Sequence, residues 1–193
     1  LTKSKEKILA SAKELFHEHG FQQTSVDEIL KHSGVTKSNF YYHFKSKEEL
    51  GLMVLDRFIA HYESEVLLKT LGNRSLQPSE KLNHFYATVK TYHCGMQKVK
   101  GCPFGNLAIE MSGGNEHFRK RLSEFFNSWE RIIEECIEEG MSKGDFRSDL
   151  PPVVVAQLIL SHLEGAIMMV KTHRSMEPLS TGSETMMKLL KAA

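Results

Sequence analysis

Residues 24–47 read Thr-Ser-Val-Asp-Glu-Ile-Leu-Lys-His-Ser-Gly-Val-Thr-Lys-Ser-Asn-Phe-Tyr-Tyr-His-Phe-Lys-Ser-Lys, two short helical patterns on either side of a tight turn. Thr24 or Ser25 can cap the first, with Asp27 and Glu28 in the first turn, where the helix dipole favours acids. That helix buries Val26, Ile29 and Leu30 and stops at Ser33-Gly34. The turn needs a residue at ease with positive φ, which Gly34 supplies. Val35 plugs the angle between the helices, and Thr36 caps the second one, which runs through Phe44 with Phe40 and Phe44 turned to the core. This is the spacing of a helix-turn-helix, whose second helix enters the DNA major groove by its N-terminal end.

Side-chain chemistry along the motif divides the work. Thr36, Lys37, Ser38 and Asn39 head the second helix, and each can hydrogen-bond base edges or phosphates. Tyr41, Tyr42, His43 and Lys47 are donors placed to hold the phosphate backbone, which fixes register without reading sequence. Thr24 and Ser25 can bring backbone N–H groups to another phosphate. A formal net charge of +1 is low for a DNA-binding chain, but the basic footprint is local. Between Ile29 and Ser46 there are Lys31, Lys37, Lys45, His32 and His43 and no acidic residue; Lys47 follows before Glu48 and Glu49 resume.

Outward from the motif, the periodicity stays helical and shows no sustained alternation of a strand. Ile8, Leu9, Ala12, Leu15 and Phe16 form one apolar stripe, closed by Gly20. Leu50 joins the core from a long helix that starts after Ser46 and fades at Leu71-Gly72-Asn73. Pro78 opens a helix carrying Leu82, Phe85, Tyr86, Val89 and Tyr92. Past the break at Gly101–Gly105 comes a short helix from Asn106 to Met111, then a long one with Phe118, Phe125, Phe126 and Trp129, ended by Gly140 and Gly144. Pro151-Pro152 starts the next, and the last spans about Ser183 to Leu190. The expected class is all-α: a three-helix helix-turn-helix domain over 1–47 and a larger helical regulatory and dimerisation domain over 48–193.

The helix from Pro151 to Val170 is apolar on nearly every side (Val153, Val154, Val155, Leu158, Ile159, Leu160, Leu163, Ile167, Met168, Met169). Such a helix must be buried both on its own core and on something else, and a second copy of the chain is the economical partner. Gln157, Ser161, His162 and Glu164 interrupt it, so no continuous apolar run reaches the length of a membrane span. The opening Leu1-Thr2-Lys3-Ser4-Lys5-Glu6 lacks a basic-then-apolar leader, which gives a cytoplasmic expectation with no membrane partner. Three cysteines without CxxC spacing fit neither a disulfide framework nor a zinc site. There is no HExxH, GxSxG, P-loop or GxGxxG, and His17-Glu18-His19 has the wrong spacing for a zinc helix, so no enzyme, metal or cofactor is expected.

Gly34-Val35-Thr36, then Phe40-Tyr41-Tyr42-His43-Phe44, then Lys47-Glu48-Glu49-Leu50, together resemble the TetR family of repressors. The resemblance implies about nine helices, a dimer through the last two long ones and a ligand cavity in the C-terminal part. Phe85, Tyr86, Tyr92, Phe104, Phe126 and Trp129, with Met96 and Met111, suit an apolar cavity and suit a plain core equally well. Cys102, in Lys100-Gly101-Cys102-Pro103-Phe104-Gly105-Asn106, heads a helix beside a lysine, a setting that lowers a thiol's pKa. This segment and Gly165–Leu179 resemble the family's electrophile- and oxidant-sensing subgroup, with departures at Pro103 and Phe104. The same resemblance makes Lys171 the partner of Cys102.

The resulting expectation is a homodimeric repressor on palindromic double-stranded operator DNA, released by a small organic or electrophilic effector. A DNA-binding architectural protein with no effector is the alternative.

Overall fold

The computed structural model describes residues 2–94 and 100–191, and no strand occurs among them. The helices are α1 (Lys3–His19), α2 (Val26–Ser33), α3 (Lys37–His43), α4 (Lys47–Tyr62), α5 (Pro78–Cys94), α6 (Pro103–Met111), α7 (Glu116–Lys143), α8 (Pro152–His173) and α9 (Glu177–Leu190). A π-helical turn, Glu63–Leu67, extends α4. The chain divides into two compact units: one holds the chain up to Ala60 with Pro103–Leu122, the other holds the rest. The sequence boundary at 47 marks the end of the motif. The division instead falls within α4 and α7, and α6 belongs with the first unit.

In the first unit, α1–α4 close around Ile8, Leu9, Ala12, Ile29, Phe40, Phe44, Leu50 and Val54. Phe40 and Phe44 are fully buried, as their spacing on α3 requires, and Val35 packs against this cluster from the turn. Gly51 on α4 is where the rings of Phe21 and Phe118 come closest; a Cβ there would lie 2.4 Å from Phe21 and 2.9 Å from Phe118.

The second unit packs α8 on α9 and α5 on α9. Two boundaries differ from the sequence reading. Gly140 does not end α7, which runs on to Lys143; it makes room for the Phe146 ring, and the chain turns at Gly144 with φ 77°. α9 starts at Glu177, with Pro178 in its first turn, a proline position that favours starting a helix there.

α8 also corrects the membrane reading. Its mean hydropathy of 1.8 over 18 residues is apolar enough to cross a membrane by length and composition, because four polar residues do not offset so many Val, Ile, Leu and Met. Here 44% of that window is buried inside the unit.

Candidate nucleic-acid interface

Local chemistry explains how α2 and α3 are presented. Ser25 caps α2 in a reciprocal capping box: its Oγ accepts from Glu28 N–H at 3.2 Å, and the Glu28 carboxylate accepts from Ser25 N–H at 2.7 Å. The Ser25 hydroxyl also donates to the same carboxylate at 2.8 Å, and the bond from Ser25 N–H first, then this one, hold the Glu28 carboxyl below its usual range. Gly34 sits in the left-handed region (φ 66°, ψ 25°), the conformation the tight turn demands. Thr36 then caps α3, its Oγ1 accepting from Asn39 N–H at 3.4 Å.

The expected reading residues come out together at the head of α3: Thr36, Lys37, Ser38 and Asn39 are all exposed. Tyr41 and Tyr42 stand 52% and 81% exposed, unusual for large aromatics in a folded unit. Beside this head runs an open groove of about 440 Å³ lined by Lys3, Ser4 and Lys7 of α1 and by Gly34, Val35, Thr36 and Asn39. The three α1 residues are absent from the sequence reading. The only signal for them is the lysine spacing at positions 3 and 7, one turn of helix apart.

Four expected phosphate contacts are otherwise engaged. Lys47 Nζ donates to the carbonyls of Phe21 (3.0 Å), Gln22 (3.3 Å) and Thr24 (3.0 Å) and lies 4.6 Å from the centre of the Phe21 ring. Thr24 is buried, its hydroxyl donating to Gly20 O at 2.7 Å. The Ser25 amide is taken by Glu28. The His43 ring is hydrogen-bonded through Nε2 to Ser4 Oγ (2.9 Å) and Thr2 Oγ1 (3.1 Å), tying α3 to the start of α1. For Lys47, Thr24 and Ser25 the partner is a backbone group left open by the turns, which a nearby side chain satisfies.

One further pin lies outside the motif. Glu110 on α6 accepts from the N–H groups of Phe21 (3.0 Å) and Gln22 (2.6 Å), while Gln22 Nε2 donates to Glu110 O at 2.9 Å. The α1–α2 turn is thus held by Glu110 through its N–H groups and by Lys47 through its carbonyls.

In the second unit, the expected pocket residues Phe85, Tyr86, Phe126 and Trp129 share one aromatic cluster with Phe125 and with Tyr62, which the sequence reading missed. Tyr92 is half-exposed, and Phe104 packs on Phe58 in the first unit instead. Met111 is buried in the first unit, its sulfur near Gln22, and Met96 lies outside the described residues. Cys102 is buried and its thiol hydrogen-bonds the carboxyl of Glu164, whose pKa is raised by burial. Lys171 is exposed on α8. Cys136 is a core thiol that donates to Pro78 O at 3.6 Å, its pKa pushed up to about 12 by burial; Cys94 is exposed at the end of α5.

A chain whose described residues form helices and no strand, with an exposed recognition helix on a buried core and a second, larger helical unit, has the build of a helix-turn-helix regulator of transcription. Comparison with known proteins makes the class specific. Residues 8–52 match the family described as bacterial regulatory proteins, tetR family, and residues 78–186 match the tetracyclin repressor-like C-terminal domain; the chain belongs to the TetR family. It is 30% identical over 178 residues to the HTH-type transcriptional repressor DhaR of Mycobacterium sp. strain GP1, covering 92% of this chain and 87% of DhaR. It is 26% identical over 179 residues to the HTH-type transcriptional repressor NemR of Escherichia coli K12, covering 91% and 88%. The crystal structure of a regulatory protein TetR from Rhodobacter sphaeroides superposes with a TM-score of 0.88 at 26% identity, over 98% of this chain and 100% of that one. These relatives are transcriptional regulators, not enzymes.

Proposed function

We propose that the chain is a repressor that binds a palindromic operator as a dimer and leaves it when a small organic or electrophilic effector reaches the second unit. The observation that carries this is the exposed head of α3, Thr36–Asn39, with Tyr42 beside it on a buried Phe40–Phe44 base. Thr36, Lys37, Ser38 and Asn39 read bases; Tyr41 and Tyr42 hold phosphates, joined by Lys3 and Lys7 from the groove wall. Lys47, His43, Thr24 and Ser25 act mainly by fixing the turn and the helix ends that present these groups.

The dimer reading is supported by α8, where Val154, Leu158 and Met168 remain 50%, 53% and 53% exposed in the single chain. Their spacing puts them on one stripe that a second copy could cover, and a dimer on a palindromic operator sets its two reading heads on half-sites about 34–36 Å apart. Cys102 and Lys171 remain the candidate pair for an electrophile, and the aromatic cluster the candidate seat for an organic ligand. A mobility-shift assay on the DNA upstream of the protein's own gene tests the reading. A specific complex that weakens on changing Lys37 and Tyr42 to Ala supports it; no specific shift at any salt defeats it.

A further inference from the structure

The start of α1 and the head of α3 share the open groove of about 440 Å³. Lys3, Ser4 and Lys7 line it from α1, Thr36 and Asn39 from α3 and its cap. Both lysines are exposed. Among the described residues, the ion pairs of α1 run from Glu6 to Arg57 (2.7 Å) and from Glu14 to His32 (3.6 Å), and leave Lys3 and Lys7 out. Glu6 is the one acid in the first two turns of α1, so no acid offsets the lysines along the groove. Thr2 and Ser4, the residues on either side of Lys3, are held by α3: His43 Nε2 lies 2.9 Å from Ser4 Oγ and 3.1 Å from Thr2 Oγ1. From within, this end of the helix is thinly held, with Lys5 N–H reaching Thr2 Oγ1 at 3.4 Å and Glu6 N–H reaching Thr2 O at 3.2 Å. Lys5 and Glu6 have partners of their own in the Phe44 ring and Arg57, and Lys7 precedes the buried Ile8 and Leu9. The hold of His43 therefore falls on Lys3 in particular.

A groove with two cations, three polar side chains and no acid suits a polyanionic strand. Four residues apart on one helix, the lysines start about 6 Å apart along the axis, so each can hold its own phosphate of the same strand. Thr36 and Asn39 belong both to the groove and to the reading head, so a strand seated here borders the bases that α3 meets. We propose that one strand of the operator backbone lies in this groove, clamped between α1 and α3, and that the clamp depends on His43 as a positioning residue. His43 does not meet the DNA; it fixes Thr2 and Ser4, and through them Lys3, against the end of the recognition helix. The same side chain thus makes phosphate capture by α1 conditional on the seating of α3. The proposal rests on the reading of α3 as the recognition helix and adds to it this dependence.

The full chain and its variants are titrated against labelled DNA from upstream of the protein's own gene, by anisotropy across a range of salt. Lys3→Gln and Lys7→Gln are each expected to lower the slope of log affinity on log salt by about 0.9, one phosphate apiece, and to weaken operator and unrelated DNA in proportion. His43→Ala is expected to lower the slope as much as Lys3→Gln does. Added to Lys3→Gln it lowers it no further, whereas added to Lys7→Gln it lowers it in full. His43→Gln, whose amide can still bond both hydroxyls, restores the parent slope. Lys3→Gln and Lys7→Gln change exposed side chains only, so they decide the clamp even where His43→Ala does not fold. Parent slopes in both lysine variants overturn the clamp. A loss in His43→Ala that adds in full to that of Lys3→Gln overturns the positioning role, because His43 then holds a phosphate itself. No specific complex with the unaltered chain defeats the recognition-helix reading and the clamp together; a specific complex whose slope ignores Lys3 and Lys7 defeats the clamp alone.

Discussion

Tyr42 shows at the scale of one residue how the interface differs from the core beneath it. It shares a seven-residue helix with Phe40, yet one ring is 81% exposed and the other fully buried. Tyr42→Ala is expected to weaken operator binding about tenfold, the scale of one lost phosphate hydrogen bond, with a stability change within about 0.5 kcal/mol. Fluorescence anisotropy and a thermal melt of the same sample measure both. Glu110 behaves oppositely because its partners include the amide of buried Phe21. Glu110→Ala leaves that amide unpaired and is expected to cost about 1–3 kcal/mol in urea denaturation, with faster hydrogen exchange at residues 21 and 22. Glu164 carries a pH dependence. Burial raises its folded pKa above the ordinary 4.5, so its protonated form favours the fold, and stability is lost as pH climbs through the raised value. Glu164→Gln should flatten this decline and leave the variant more stable than the parent on the alkaline side, as read from melting temperature against pH.

Among the elements, α3 was the most legible in the sequence and α6 the least. Gly34, Thr36, Phe40 and Phe44 each have a local reason for their identity: a positive φ, a cap, and two core positions one helical turn apart. Such signals need no knowledge of distant residues. The roles of Lys47 and Glu110 do need it, because a lysine or glutamate reads the same in sequence whether it faces a phosphate or a backbone carbonyl. Their partners lie 23–26 and 88–89 residues away. Pro103 hid the start of α6, since Gly101 and Gly105 read as one loop, whereas the proline is the helix's first residue. Glu164 was visible only as an interruption of an apolar helix, and the aromatic cluster of the second unit depends on packing between helices distant in sequence. At Gly51, where α4 passes Phe21 and Phe118, Gly51→Ala is expected to destabilise the first unit by about 1–3 kcal/mol through overpacking. Chemical denaturation reads that loss directly.

For the whole molecule, the unfinished surface is the stripe on α8. Val154, Leu158 and Met168 leave water only if another surface covers them, and a second copy presents the same stripe. Leu158→Glu is expected to convert a dimer into a monomer on light scattering and, by separating the paired reading heads, to weaken operator binding by about a hundredfold or more. The account stands most directly on one titration: the unaltered protein against the DNA upstream of its own gene, followed across a range of salt. It predicts a specific complex of two protomers per site whose log affinity falls linearly with log salt, at a slope of about −0.9 per phosphate held. A complex with no preference over unrelated DNA of the same length, or none at any salt, would contradict it.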